Sequence, residues 1–285
     1  MKYAASALLA FGISMLILGC GATSIAPSGS ATTISAPGSA GTGQGGGSGA
    51  SQTGTVISKI QTPIGNWRSW GQAPPSYTDC AAPCSQSTWS QTYGIQSPAK
   101  SGNATEFSLN PNIPYADVLF GAGLIGQNSP QMPDSSHTLL PTLHNFTYDA
   151  DFYVENSAIT QALEFDVEMH MNSVGMTWGT MCNHLQDGKW DIWDNVNKHW
   201  VSAGVPCEYK NGWNHITIQL QRGSGNTLLY QSIALNGTVY TLNKTYPPGT
   251  APSNWYGLDL NYQMDSNSAG APLTTYVDNL TLTYW

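Results

Sequence analysis

From about residue 56 to the end of the chain, apolar and polar side chains alternate with a period of two, and almost no stretch carries the spacing of an amphipathic helix. Phe146, Tyr148, Ala150, Phe152 and Val154, for example, alternate with Thr147, Asp149, Asp151, Tyr153 and Glu155. Successive side chains of an extended strand point to opposite faces, so each such segment gains one face fit for a core and one fit for water. Comparable segments cover 163–171, 176–183, 190–194, 199–202, 213–221, 227–235, 239–243, 258–265 and 276–285. Asp187-Gly188 predicts a two-residue hairpin, and Asn195-Val196-Asn197-Lys198 and Asn236-Gly237 predict further turns. About ten strands joined by short turns predict two packed antiparallel sheets, an all-β antiparallel β-sandwich of jelly-roll type. Residues 60–133 are Pro-rich and less periodic, which predicts an edge strand and long loops.

The 285 residues are 40% hydrophobic, with 10 Trp and 14 Tyr, enough for a sizeable core. A formal charge of -8, with 9 Lys and Arg scattered singly, argues against a nucleic-acid partner and suits uncharged ligands. Lys2, the apolar run from Ala4 to Leu18 and the tetrapeptide Ile17-Leu18-Gly19-Cys20 read as an export signal over 1–20. That tetrapeptide resembles the lipobox of bacterial lipoproteins, with Cys20 as the lipidated residue. The run falls short of the roughly 20 residues of a membrane span, so the expectation is an exported protein held to the cell envelope, at the outer membrane or cell surface, through a lipid anchor only. Residues 21–58 contain no Asp, Glu, Lys or Arg and read as a flexible Gly/Ser/Thr-rich linker, leaving 59–285 as the β-sandwich domain. Four further Cys allow three pairings; nearness in sequence favours Cys80 with Cys84 and Cys182 with Cys207 over a zinc site, since no His sits beside either pair.

One segment concentrates charge in a chain that is only 9% charged, against roughly 25% in an average domain. In Leu163-Glu164-Phe165-Asp166-Val167-Glu168-Met169-His170-Met171, Glu164, Asp166, Glu168 and His170 share one strand face and the apolar residues share the other. Crowding three carboxylates raises the proton affinity of at least one, which is how a carboxylic acid stays protonated near neutral pH.

Glu164-Phe165-Asp166-Val167-Glu168 resembles the E-x-D-x-E strand of the concanavalin A-like lectin and glucanase superfamily, specifically the family 16 glycoside hydrolases. Matched position by position, the resemblance implies Glu164 as nucleophile, Asp166 as supporting carboxylate and Glu168 as general acid/base of a retaining mechanism. It also implies a concanavalin A-like sandwich and a carbohydrate ligand. Phe165 stands where the family carries an aliphatic residue, and the family's aromatic substrate-binding segment does not precede the motif. The balance therefore lies with glycan binding; retaining endo-glucanase activity and a structural or adhesive envelope role are the alternatives. Polysaccharide lyases of the same plan need an R-x-E-x-R strand and a Gln-Ile-His or Gln-Val-His, and neither occurs.

Trp178, Trp190, Trp193 and Trp200 follow the acidic row, and aromatic faces with Asp, Asn and Gln nearby are the makeup of a neutral glycan groove. Trp178 and Trp193 are the expected ligand-facing pair, with His170 and Asn183 as polar neighbours; Trp190 and Trp193 must face opposite sides of a regular strand. His170, Glu168 and Asp166 have the ligand types of a Mn or Zn site, although a hydrogen-bonded surface His is the preferred reading, and the metal is unassigned. No cofactor is required; structural calcium is a possibility on Asp278 with Asn279, or on Asp259 and Asp265. No Gly-x-Ser-x-Gly elbow, phosphate loop or dinucleotide fingerprint occurs.

Overall fold

The computed structural model describes residues 54–285, and within them the alternating segments pair into two antiparallel sheets. In chain order the strands are β1 (Thr55–Ile57), β2 (Trp67–Gln72), β3 (Thr88–Ile95), β4 (Ala104–Asn110), β5 (Asp117–Gly126), β6 (Asn145–Val154), β7 (Thr160–Met171), β8 (Val174–Trp178) and β9 (Thr180–Asn183). They continue as β10 (Lys189–Asp194), β11 (His199–Pro206), β12 (Gly212–Arg222), β13 (Leu228–Leu235), β14 (Thr238–Tyr246), β15 (Gly249–Thr250), β16 (Gly257–Ser266) and β17 (Leu273–Tyr284). Sheet A runs β14-β13-β12-β6-β17-β4-β3, with β1 beside β17. Sheet B runs β11-β10-β9-β7-β16-β5-β2, with β8 beside β7 and β15 beside β8. The chain crosses between the sheets repeatedly, β5 to β6, β6 to β7 and β16 to β17 among the crossings, so the central partners, β7 with β16 and β6 with β17, are distant in sequence. The fold is the expected all-β sandwich of two packed antiparallel sheets.

The core lies between the sheets and is filled by one parity of each strand. Leu163, Phe165, Val167 and Met169 of β7 meet Phe146, Tyr148 and Phe152 of β6 and Leu258, Leu260 and Tyr262 of β16 in one buried cluster. Phe165 stands at its centre, its ring 5.1 Å from that of Phe152 and 5.6 Å from that of Tyr262. Each such side chain contributes about 1.5–3 kcal/mol by leaving water, which fixes the register of β7 and forces Glu164, Asp166, Glu168 and His170 onto the opposite face.

Three expectations need correction. Residues 60–133 supply four strands rather than one, and every residue of β5 is buried. Its sequence, Asp117-Val118-Leu119-Phe120-Gly121-Ala122-Gly123-Leu124-Ile125-Gly126, hides the alternation because glycines hold two of the outward positions. Strand β1 lies inside the stretch assigned to the linker, where Thr55, Val56 and Ile57 pair with Tyr284, Thr283 and Leu282. Three β-branched residues in a row suit a strand more than a tether. Asp187-Gly188 closes a five-residue connection, with Gly188 N–H donating to Asn183 O at 3.0 Å, rather than a two-residue hairpin. Asn236-Gly237 does form its two-residue turn, both residues at positive φ. Cys80 with Cys84 and Cys182 with Cys207 are bonded as expected, each pair with Cα atoms 5.6 Å apart. The export signal, Cys20 and most of the 21–58 linker lie outside the described residues.

Candidate carboxylate-lined groove

The outward face of sheet B is built row by row from the register. In one row Asp191 of β10, Met181 of β9, Glu164 of β7, Gln263 of β16, Leu119 of β5 and Trp70 of β2 stand side by side. One step along the strands, Asp166, Asn261, Gly121 and Arg68 form the next row. A further step brings Thr177 of β8, Glu168, Asp259 and Gly123 together. Sheet B therefore carries a polar strip two strands wide, Glu164, Asp166 and Glu168 against Gln263, Asn261 and Asp259. Asp265 and Asp117 extend it at one end, and His170 lies at the other.

Large rings flank the strip. Trp70 lies across Gly121, where an added Cβ would come within 3.1 Å of its ring. On the far side Trp200 lies against Gly179, where an added Cβ would come within 3.0 Å of its ring, and meets Trp193 edge to face at 5.2 Å. Trp255 meets the His170 ring edge to face at 5.1 Å. Between these walls Glu164 and Asp166 are only 2% and 1% exposed although both point away from the core, so they form a recessed floor. Glu168, Asp259, Asp265 and His170 are half-buried and reach the surface.

Protein donors compensate this floor incompletely. Gln263 Nε2 donates to Glu164 Oε1 at 2.7 Å and to Asp265 Oδ1 at 2.9 Å. Thr180 N–H donates to Asp166 Oδ1 at 3.0 Å, Thr177 Oγ1 to Glu168 Oε1 at 3.3 Å, and Asn128 Nδ2 to Asp259 Oδ1 at 3.2 Å. Glu164 Oε2, Asp166 Oδ2 and Asp117 Oδ1 are buried without a hydrogen-bond partner. The nearest cation is Arg68, whose Nη2 is 3.8 Å from Asp259 Oδ1. Burial first, and neighbouring carboxylates second, push the Glu164 and Asp117 carboxyls well above their ordinary range. Burial likewise raises Asp166 far and Glu168 less, carries Asp259 to about 6 with help from Glu168, and carries Asp265 to about 7. Burial lowers His170 against the pull of Asp259, which favours the neutral ring.

The structure separates the expected site residues. Glu164, Asp166, Glu168 and His170 share the groove, and Trp193 borders it. Trp178 does not: it is fully buried in the core, its ring 5.4 Å from Phe146, because β8 pairs with β7 so that Trp178 stands opposite inward-facing Val167. Trp190 is core as well. Asn183 sits at the periphery, its Nδ2 donating to Asp191 Oδ2 at 3.2 Å. Asp166, Glu168 and His170 do not converge as a metal-ligand set. Among the described residues no three metal-ligating side chains form a set. Asp259 and Asp265 are about 20 Å apart along β16, too far to share a calcium ion. Asp278 is engaged elsewhere, accepting from Ser101 Oγ at 2.6 Å and from the N–H groups of Lys100 and Ser101 at 2.7 Å, while Asn279 Nδ2 donates to Asp151.

The register adds a pairing that sequence reasoning missed. Glu168 and Asp259 are direct cross-strand partners, which places their Cβ atoms about 4.5–5.5 Å apart, whereas Glu164 and Glu168 are about 13 Å apart at Cα along one strand. The alternation Asp259-Asn261-Gln263-Asp265 was a visible signal, but it became part of this site only through β16 pairing with β7.

No protein-family model matches the chain, and no curated protein matches it in sequence. Solved structures similar in shape include a cellulose-induced protein, Cip1, at 13% identity and TM-score 0.43, covering 75% of this chain and 90% of its own. A conserved carbohydrate esterase from the Shiga toxin-encoding bacteriophage phi24B follows at 11% identity and TM-score 0.38, with 68% and 89% covered. The potassium-bound carbohydrate recognition domain of Emp46p gives 9% identity and TM-score 0.38, with 70% and 88% covered. At that level of similarity none of their residues or ligands is carried over to this chain.

Proposed function

We propose that the groove on sheet B binds a polysaccharide free of acidic groups, and that the chain is an exported, lipid-anchored glycan-binding protein of the cell envelope. The supporting observation is the strip of carboxylates and amides recessed between Trp70 on one side and Trp193 with Trp200 on the other. Aromatic rings stack on the apolar faces of sugars while carboxylates and amides accept and donate to hydroxyls, and the acidic floor repels anionic chains. Affinity electrophoresis of the purified protein through gels containing mixed-linkage glucan, xylan, galactan or chitosan tests this. Retardation on one of them that Trp200→Ala weakens is the expected result; free migration on all of them refutes the reading.

A second reading, retaining glycoside hydrolysis, is favoured by one observation. Retaining enzymes place two carboxyl groups roughly 5 Å apart, and the half-buried Glu168 and Asp259 meet that spacing across the ladder better than Glu164 and Glu168 do along one strand. Glu164 is recessed, with Oε1 occupied by Gln263. Release of reducing ends from the retarding glycan, abolished by Glu168→Gln and by Asp259→Asn while retardation persists, is the outcome this reading expects.

A further inference from the structure

We infer that the glycan bound in this groove carries free amino groups, a polymer or oligomer of amino sugars that are not acylated on nitrogen. The inference rests on the glycan reading and departs from a strictly neutral ligand. Asp117, Glu164, Asp166, Glu168, Asp259 and Asp265, six of the 17 acidic residues in the chain, converge on one face of two adjacent strands and their neighbour. Among the described residues Arg68 is the one Lys or Arg that forms an ion pair with any of them. Structural ion clusters in folded proteins are ordinarily closed by their own counter-charges and donors, because removing one partner of a buried pair is costly.

This cluster is left open. Glu164 Oε2, Asp166 Oδ2 and Asp117 Oδ1 lack any partner, in side chains 2%, 1% and 3% exposed. The half-buried Glu168, Asp259 and Asp265 stand beside them on the same face and reach the surface. A hydroxyl can share one hydrogen bond with such an oxygen but leaves unchanged the cost of ionising several carboxyls side by side, a cost that only a positive charge offsets. An ammonium donates up to three hydrogen bonds and supplies positive charge that the recessed carboxylates feel even without contact, because the surrounding dielectric is low. The half-buried rings of Trp70 and Trp200 favour a sugar as the carrier of that ammonium over a flexible basic peptide, since they offer apolar surface at fixed positions along the strip.

The test measures binding of the purified full chain to four soluble probes: glucosamine hexamer, N-acetylglucosamine hexamer, cellohexaose and hexalysine. The expected result is that glucosamine hexamer binds tighter than each of the others by about tenfold or more, the factor one charge-assisted hydrogen bond supplies. That advantage shrinks as salt rises and in Asp259→Asn. Because the decisive change is acetylation of the ligand, misfolding of a variant cannot mimic it. Equal or tighter binding of the acetylated hexamer or of cellohexaose overturns the inference and leaves the glycan reading intact. Tightest binding by hexalysine overturns it in favour of a basic peptide, and binding of none of the four, with no retardation on polysaccharide gels, overturns both.

Discussion

The four tryptophans of the meander divide by parity, Trp178 and Trp190 inward and Trp193 and Trp200 outward, and their mutants should divide in the same way. Trp178 is sealed in the core against Phe146, so Trp178→Ala opens a large cavity and costs about 3–5 kcal/mol in urea denaturation, while the folded fraction keeps its retardation on glycan. Trp200 is half-buried with its ring over Gly179, and its edge-to-face contact with Trp193 is the main packing it gives up. Trp200→Ala therefore costs about 1 kcal/mol of stability and loses most of the retardation. The reverse pattern, binding lost in Trp178→Ala and kept in Trp200→Ala, would mean that the groove lies elsewhere.

At the level of strands, the two disulfides do unequal work. Cys182 lies in the fully buried strand β9, and Cys207 follows β11 across a sequence separation of 25, so this bridge ties the ends of the β9-β10-β11 meander together. Restricting a loop of that size in the unfolded chain is worth about 3.5 kcal/mol, whereas the separation of 4 between Cys80 and Cys84 is worth about 2 kcal/mol. The double variant Cys182→Ala/Cys207→Ala should lower the thermal midpoint by several degrees more than Cys80→Ala/Cys84→Ala. The shorter bridge pins the segment beside Gly71, whose backbone exchanges hydrogen bonds with Cys80. Its loss should loosen the groove wall at Trp70 more than it destabilises the sandwich.

The whole molecule should be an acid-favouring fold. Asp259, raised to about 6, and Asp265, raised to about 7, hold protons that the unfolded chain has released above about pH 4, so each makes the folded state bind more protons than the unfolded one. With more protons in the folded state, stability falls as pH rises between about 4 and 7. His170 and His184, lowered by burial, oppose this, whereas His215 adds in the same direction as the two carboxyls. Its hydrogen bond to Asp149 and the nearby Asp151 raise it against burial, so its contribution is complete below the ordinary histidine range and is lost as pH climbs through its folded value. Asp149, Asp151 and Asp278 feel burial as their largest single influence, yet hydrogen bonds outweigh it and lower them, so their contribution is lost only as pH falls below the ordinary carboxylate value. Thermal midpoints should therefore be higher at pH 5 than at pH 8, against the usual preference for near-neutral pH. Glu164→Gln should recover part of the loss at pH 8, because it removes a buried ionisable group while keeping an acceptor for Gln263. A midpoint that rises from pH 5 to pH 8 would contradict the protonated floor.

Local chemistry was enough for much of this. Period-two alternation specified a sandwich because a strand that buries one parity must expose the other, and it placed Glu164, Asp166, Glu168 and His170 on one face of β7 without reference to any other strand. Nearness in sequence found both disulfides, since short separations keep two thiols within reach whatever the topology. Tertiary pairing decided the rest. Which strands become neighbours depends on crossings between the sheets, so Asp259, Asn261, Gln263 and Asp265 joined the acidic row only when β16 paired with β7, and Trp70 only when β5 carried β2 alongside. Glycine concealed β5, whose outward positions read as a loop until packing filled them with a tryptophan ring. Trp178 went to the core rather than the ligand because the direction of a side chain on β8 is set by its register with β7, and register is a property of two strands together.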